Sequence, residues 1–197
     1  MTQGKTVTPA MNLPNLITLL RMALIPVFVA VYVIPGQPTY LIAAGLFGIA
    51  GLTDWLDGYL ARKLGQTTRF GAFIDPVSDK LIVVTALLLL VGHHANLWLT
   101  LPATVIVGRE IVISALREWM AEMNRRGVVA VSWLGKVKTT LQIVALLVLL
   151  AHPPELDAPM VQFGYVLLYA AALMTLWSMV AYLRAAWPAL RESMDQP

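Results

Sequence analysis

The sequence predicts an all-α integral membrane protein in which six transmembrane helices form one bundle. Of its 197 residues, 58% are hydrophobic, and the mean hydropathy of +0.73 is too high for an ordinary soluble domain. The apolar residues fall into six segments, each close to the ~20 residues that a helix needs to cross the hydrocarbon core. Lys and Arg concentrate in alternate connections between these segments, as expected when successive connections lie on opposite sides of a membrane.

Each predicted helix is defined by its apolar run and by the residues that interrupt or end it. The first contains a single charged residue, Arg21, and the last has no charge between Pro159 and Leu183. Pro35-Gly36 and Pro153-Pro154 favour breaks after the first and the fifth helix. Charged residues enter the third, fourth and fifth helices at Lys80, Arg109, Glu110 and Lys138. The six predicted spans cover residues 13–34, 39–62, 71–92, 97–123, 132–152 and 159–184.

The distribution of basic residues predicts that both termini face the cytoplasm. The second connection contains Arg62 and Lys63, whereas the connections near residues 35–38, 93–96 and 153–158 contain neither Lys nor Arg. Basic connections remain preferentially on the cytoplasmic side of a membrane. An even number of spans then places both ends of the chain on that side.

We expect a single membrane-embedded domain over residues 1–197, with polar flanks at residues 1–11 and 186–197. A cleaved signal peptide is not expected, because the first apolar segment is long and contains Arg21. Cysteine is absent, which excludes disulfide bonds and thiol chemistry. The basic residues lie where membrane topology places them, so the sequence gives no indication of nucleic-acid binding.

Four aspartates within a short stretch form the main candidate site: Asp54, Asp57, Asp75 and Asp79. The first two are three residues apart and the last two are four apart, so each pair shares one face if its segment is helical. They adjoin apolar segments, where an ionised carboxylate is costly unless it is paired or bound to a cation. Carboxylate oxygens suit Mg²⁺ or Mn²⁺, which commonly bind substrate phosphates as well. The pattern therefore predicts a divalent-metal site.

The residues around these aspartates leave alternatives open. Gly58 and Ala61 share the helix face of Asp54 and leave space for a ligand or a neighbouring backbone. Arg62 fits either an interfacial arginine or a phosphate-binding one. Asp75 precedes a proline and in isolation would be interpreted as a helix cap, but the four-aspartate spacing favours metal binding. Tight helix packing is the favoured interpretation for four small residues of the second helix: Ala44, Gly45, Gly48 and Gly51.

The spacing Asp54-x2-Asp57-Gly58-x2-Ala61-Arg62-x8-Gly71-x3-Asp75-x3-Asp79 resembles in full the signature of the CDP-alcohol phosphotransferases. Members of this family are membrane-embedded and usually dimeric, and they transfer a phosphoryl-bearing group from a CDP-linked donor to a hydroxyl acceptor. The resemblance implies that one or two Mg²⁺ or Mn²⁺ ions bind the four aspartates, with Asp79 as the general base. It also implies that the CDP moiety is surrounded by Asp54, Asp57, Gly58, Ala61, Arg62 and Gly71.

Three further motifs are similar to those of bacterial family members that use CDP-diacylglycerol as donor and sn-glycerol 3-phosphate as acceptor. They are Asn12–Arg21, Gly108-Arg109-Glu110 and Gly135–Thr140. The similarity implies that the products are phosphatidylglycerophosphate and CMP, formed by direct displacement. It further implies a homodimer in the bacterial inner (cytoplasmic) membrane, with the active site facing the cytoplasm.

The phosphate of such an acceptor requires cations, and four basic residues at or inside the predicted spans are candidates: Arg109, Lys136, Lys138 and Arg21. The alternative is that they mark topology and bind lipid headgroups. The two interpretations are nearly equal for Lys136 and Arg21, whereas the acceptor site is favoured for Arg109 and Lys138. Arg109 and Glu110 point in different directions on a helix, so we do not expect them to be simply each other's partner.

Two other functions fit parts of the pattern. The same fold could use another acceptor, such as an inositol phosphate, serine or a second lipid. An ion or proton transporter could also place carboxylates inside its bundle, but transport favours sites near the membrane midplane. The aspartates lie at predicted cytoplasmic helix ends beside Arg62, Lys63 and Arg69, which favours the enzyme.

Overall fold

In the computed structural model, residues 13–64, 69–123 and 133–194 are described, and they fold into six α-helices. These residues contain no β-strand, so the all-α prediction is confirmed. The helices are α1 (Leu13–Tyr32), α2 (Gln37–Leu64), α3 (Arg69–His94), α4 (Leu97–Glu122), α5 (Trp133–Leu150) and α6 (Pro159–Met194). Their bounds follow the predicted spans closely, except that α6 continues well beyond residue 184.

Three helices contain segments that are long and apolar enough to cross a membrane, as judged over the described residues. These segments are Asn15–Tyr32, Leu97–Glu122 and Pro159–Pro188, and α5 contributes a shorter apolar stretch. Large apolar side chains on these helices are exposed, including Leu101 and Trp177. Such exposure is costly in water but natural in lipid. The chain is therefore a helical membrane protein.

The helices divide into two compact units. The first contains α1, α2 and α3 as far as Leu89, together with Leu150–Pro153. The second contains the end of α3 from Leu90, then α4, α5 as far as Leu149, and the chain from Pro154 through α6.

In the first unit, α1 packs against α2 along a face that changes character along its length. Towards the end of α1 the packing is aromatic, with the ring centroids of Phe28 and Phe47 6.2 Å apart and those of Tyr32 and Tyr40 5.9 Å apart. Near the start of α1 the buried side chains are polar: Asn15, Thr18 and Arg21. Spacings of three residues place these polar groups on the same helix face. An apolar helix therefore presents a polar patch to the interior of its own unit.

The connection between α1 and α2 is a tight turn at Gly36, as the sequence predicts. Gly36 has φ = +147°, a conformation that residues with a side chain rarely adopt. The hydroxyl of Thr39 donates to the carbonyl of Ile34 at 2.6 Å, which closes the turn before α2.

In the second unit, α4 and α6 pack against each other. Ile113, Leu116 and Met120 of α4 form a buried cluster with Ala186 of α6. Helix α5 also approaches α6 closely, because a Cβ added at Gly164 would lie 2.8 Å from the Leu149 side chain. Small residues at helix contacts permit this close approach.

Tight helix packing was predicted for four small residues of α2, and two of them are not tightly packed in the structure. Ala44 is buried, but Gly45 and Gly51 are exposed, and within the described part of the chain a Cβ at either would meet no atom within 4 Å. The prediction of tight packing against other parts of the described chain is therefore wrong for Gly45 and Gly51.

Candidate active site

The polar patch of α1 lies against aspartates from α2 and α3, all within the first unit. Nη1 of Arg21 donates to Oδ1 of Asp54 at 2.8 Å and to Oδ1 of Asp79 at 2.6 Å. The hydroxyl of Thr18 donates to Oδ1 of Asp75 at 2.8 Å. Three of the four predicted aspartates are thus in direct contact with one polar face of α1.

The burial of these groups is asymmetric. The Arg21 side chain is completely buried, whereas those of Asp54 and Asp79 are 39% and 44% exposed. A buried guanidinium is costly unless carboxylates pair with it. Because the carboxylates are also partly open, they can satisfy Arg21 on one side and reach a ligand on the other. Arg21 is therefore a buried cation that pairs with two partly exposed carboxylates.

The local sequence explains how the aspartates reach this position. Helix α3 begins at Arg69, so Asp75 lies beyond its first turn and does not cap the helix. Asp75 and Asp79 are four residues apart and therefore share a face of α3. Asp54 approaches from α2, and Arg21 joins the two helices by bonding to both.

Several predicted site residues cannot be placed at the level of side chains. Asp57, Gly58, Ala61 and Arg62 lie in α2, and Lys136 lies in α5, but their side chains are outside the described part of the structure. Their roles remain predictions. Gly71 is described and is buried near the start of α3.

The donor set fits a divalent cation on two grounds. Asp54 and Asp79, from different helices, each place an oxygen within hydrogen-bonding distance of one cationic nitrogen. Carboxylate oxygens are also the ligands that Mg²⁺ and Mn²⁺ prefer. Among the residues whose side chains are described, no three acidic or histidine side chains form a metal-binding group, and Asp57 is outside that set.

A second set of charged residues lies in the second unit. Arg109 of α4 and Lys138 of α5 are both buried, with 7% and 5% of their surfaces exposed. Arg109, Glu110 and Arg117 all lie close enough to Lys138 to interact with it electrostatically. The structure therefore brings together two of the four predicted acceptor-site cations. Arg21, a third, lies in the first unit with the aspartates.

Two features of this basic cluster were not predicted. Nη1 of Arg109 forms an ion pair with Oε1 of Glu110, so the expectation that these neighbours are not partners is wrong. The long side chains can turn towards each other although their Cβ atoms diverge. Arg117 was missed, because nothing in its spacing separates it from an ordinary interfacial cation. Its guanidinium lies over the Tyr182 ring, 5.8 Å from the centroid.

The chain is similar to known proteins over most of its length. Residues 11–177 match the model of the CDP-alcohol phosphatidyltransferase family. A relative from Pseudomonas fluorescens is 56% identical over 183 residues, covering 92% of this chain and 93% of its own. Relatives from Salmonella typhimurium (strain LT2) and Escherichia coli (strain K12) are 52% identical over 175 residues, covering 89% of this chain and 94% of theirs. All three are named CDP-diacylglycerol--glycerol-3-phosphate 3-phosphatidyltransferase.

Proposed function

The chain belongs to the CDP-alcohol phosphatidyltransferase family, and from this we propose that it transfers the phosphatidyl group of CDP-diacylglycerol to sn-glycerol 3-phosphate. The products are phosphatidylglycerophosphate and CMP. The observation that carries the proposal is identity of 52–56%, over most of the chain, to relatives named for this reaction. The chain is accordingly an enzyme of phospholipid biosynthesis.

One or two Mg²⁺ or Mn²⁺ ions would bind to the four aspartates: Asp54, Asp57, Asp75 and Asp79. When bound, such ions neutralise the pyrophosphate of the donor and stabilise the departing CMP. The contact of Asp54 and Asp79 with the same Arg21 nitrogen supports this assignment, because it brings carboxylates of α2 and α3 together. The CDP moiety would be surrounded by six residues of α2 and α3: Asp54, Asp57, Gly58, Ala61, Arg62 and Gly71.

Asp79 is the proposed general base, and it takes the proton from the acceptor hydroxyl as that oxygen attacks the lipid-side phosphorus. Its partial exposure supports this role, because a base must reach the substrate proton. The reaction is a direct displacement at phosphorus, without a covalent enzyme intermediate. Radiolabelled CMP should therefore not exchange into CDP-diacylglycerol when the acceptor is absent.

Arg109 and Lys138 are the proposed partners of the acceptor phosphate, with Lys136 and Arg21 as further candidates. Arg109 and Lys138 are buried near each other and near Arg117, and Glu110, which pairs with Arg109, offsets only one of these three positive charges. Buried like charges are costly, and a bound dianion would lower that cost. The electrostatics therefore favour an anionic ligand at these residues.

The proposed setting is a homodimer of single-domain, six-span chains in the bacterial inner membrane. Both termini and the active site face the cytoplasm in this proposal. The positive-inside distribution of Lys and Arg supports the orientation.

The test is CMP release by purified protein in detergent, with CDP-diacylglycerol, Mg²⁺ and a panel of hydroxyl acceptors. Among the acceptors of the panel, we expect only glycerol 3-phosphate to support turnover. In Asp79→Asn the rate of CMP release should fall by at least about a hundredfold. Asp157→Asn is the matched control, because Asp157 is exposed in the connection before α6. Turnover with a different acceptor would replace the proposed substrate, and no CMP from any acceptor would overturn the proposal.

A further inference from the structure

Thr18 of α1 carries a hydroxyl that contacts a carboxylate on another helix. Its Oγ1 donates to Oδ1 of Asp75 at 2.8 Å, across 57 positions in the sequence. The hydroxyls of Thr100 and Thr104 in α4 donate instead to carbonyls of their own helix, four residues earlier, which is a common arrangement for Thr within a helix. The contact of Thr18 therefore connects α1 to α3, and its acceptor is one of the four predicted metal ligands.

The surroundings of Thr18 hold its side chain in place. Only 1% of the residue is exposed, and a β-branched side chain in a helix has few rotamers. Arg21, one helical turn later on the same face, is also buried and pairs with Asp54 and Asp79. Helix α1 thus presents a neutral hydroxyl to one aspartate and a guanidinium to two others.

These two kinds of contact differ in charge. A guanidinium orients a carboxylate and also offsets its charge, whereas a hydroxyl orients it and adds no charge. A carboxylate has two oxygens with about four acceptor sites, and the hydrogen bond from Thr18 engages Oδ1 of Asp75. Asp75 is also partly exposed. The contact with Thr18 therefore orients Asp75 and leaves it both its negative charge and acceptor sites for a ligand.

We propose that Thr18 is a positioning residue of the metal site, which fixes the orientation of the Asp75 carboxylate and thereby strengthens the binding of a divalent cation. The inference rests on the proposed metal-dependent function and assigns α1 a part in it. Thr18 acts through Asp75 and does not itself contact the cation. Hydrogen-bond partners of this kind orient metal ligands, and their removal typically weakens metal binding by about 10–100-fold.

Mn²⁺ binding to the purified full chain, without nucleotide or lipid substrate, tests the inference. Free Mn²⁺ is measured by electron paramagnetic resonance for wild type, Thr18→Val, Thr18→Ser and a control. Valine keeps the branched shape of threonine without its hydroxyl, whereas serine keeps the hydroxyl without the methyl group. Thermal unfolding of each variant shows whether it is folded.

Thr175→Val is the matched control. Thr175 lies on α6 in the second unit and is 1% exposed, as Thr18 is. Its hydroxyl has no hydrogen-bond partner within the described part of the chain. The control therefore removes an equally buried hydroxyl outside the candidate site.

We expect Thr18→Val to bind Mn²⁺ at least about tenfold more weakly than wild type. Thr18→Ser should lie closer to wild type than to Thr18→Val, and Thr175→Val should match wild type. The rate of CMP release by Thr18→Val should fall more at limiting than at saturating Mn²⁺, because added metal compensates for weaker binding.

Wild-type Mn²⁺ binding by folded Thr18→Val would overturn the inference and leave the proposed function standing. An equal loss of binding in Thr18→Ser or in Thr175→Val would also overturn it, because the Thr18 hydroxyl would not be the cause.

If Thr18→Val does not fold, Thr18→Ala removes the same hydroxyl without adding bulk and decides by the same criterion. Failure of both variants to fold would show a role in stability and overturn the inference. No Mn²⁺ binding by wild type would overturn both the inference and the metal-dependent function.

Discussion

At the scale of single residues, Asn96 connects the end of α3 to α6. Its Oδ1 accepts from the amide of Leu99 at 2.9 Å and so caps α4. Its Nδ2 donates to the hydroxyl oxygen of Tyr165 at 2.9 Å. That hydroxyl also forms a hydrogen bond with Nδ1 of His94 at 3.0 Å. His94, Asn96 and Tyr165 therefore form one hydrogen-bonded network at the start of α4.

Burial, together with the neighbouring His93, lowers the pKa of His94 from 6.5 to about 4. The unfolded chain therefore binds this proton at a higher pH than the folded one. The resulting contribution to the free energy of unfolding is complete above pH 6.5 and decreases as the pH falls towards 4. We expect His94→Gln to have a flatter dependence of Tm on pH over this range, as measured by thermal unfolding from about pH 7.5 to about pH 4.5.

His152→Gln is the control for this experiment, because it removes one histidine from the connection before α6, where His152 is partly exposed, whereas His94 is buried. An effect specific to His94 requires that this control keep more of the wild-type pH dependence than His94→Gln does. A wild-type slope that persists in His94→Gln would show that other groups cause the acid sensitivity.

The candidate site illustrates what residue spacing can predict. The spacing of Asp75 and Asp79 predicts that they share one helix face, because helix geometry converts sequence intervals into faces. In the structure, Asp79 and Asp54 form a small cluster around one nitrogen of Arg21. The pairing of Arg21 with that cluster was not predicted, because spacing within α1 does not reveal which helix packs against it. A polar patch at intervals of three in an apolar helix was the available signal. The partner of a long cation such as Arg109 depends on rotamers that a sequence does not specify.

At the scale of helices, the contact between α5 and α6 depends on the absence of a side chain at Gly164. A Cβ at this position would lie 2.8 Å from Cγ and Cδ2 of Leu149 and 3.3 Å from Cγ1 of Val148. We expect Gly164→Ala to reduce the free energy of unfolding by about 1–3 kcal/mol through overpacking. The corresponding fall in Tm can be measured in detergent.

Gly92→Ala provides the comparison, because a Cβ at Gly92 meets no atom within 4 Å in the part of the chain that the structure describes. Alanine also has the higher helix propensity, so this variant should match or exceed wild-type stability. Equal Tm values for the two variants would mean that the helices separate easily at Gly164.

The helices themselves were largely predictable, because an apolar run of membrane length favours a helix over the same residues. Helix α1 ends at Tyr32, close to the predicted residue 34. The exception is α6, which continues through Arg184 and Pro188 to Met194. Hydropathy marks where a helix leaves the apolar layer, whereas backbone hydrogen bonding continues wherever side chains permit it. The end of a span and the end of a helix are therefore different quantities.

At the scale of the whole molecule, the proposed orientation follows from charge alone and has a direct test. The chain has no cysteine, so single cysteines can be introduced without altering a native one. Two exposed positions, Gln37 at the start of α2 and Glu155 before α6, lie in or beside connections without Lys or Arg. Two others, Lys63 near the end of α2 and Arg191 near the end of α6, are exposed and lie in basic parts of the chain. Each of the four is replaced by cysteine in turn. We expect a membrane-impermeant maleimide to label the first two in intact spheroplasts.

The other two should be labelled only after permeabilisation, because basic residues are retained on the cytoplasmic side. Labelling of Lys63→Cys in intact spheroplasts would place the aspartate-bearing end of α2 outside the cell. A cytoplasmic pool of glycerol 3-phosphate would not reach such a site, so the proposed acceptor would also be excluded. The opposite result would place the carboxylates of α2 where a soluble acceptor and CMP can exchange with the cytoplasm while the lipid tails remain in the bilayer.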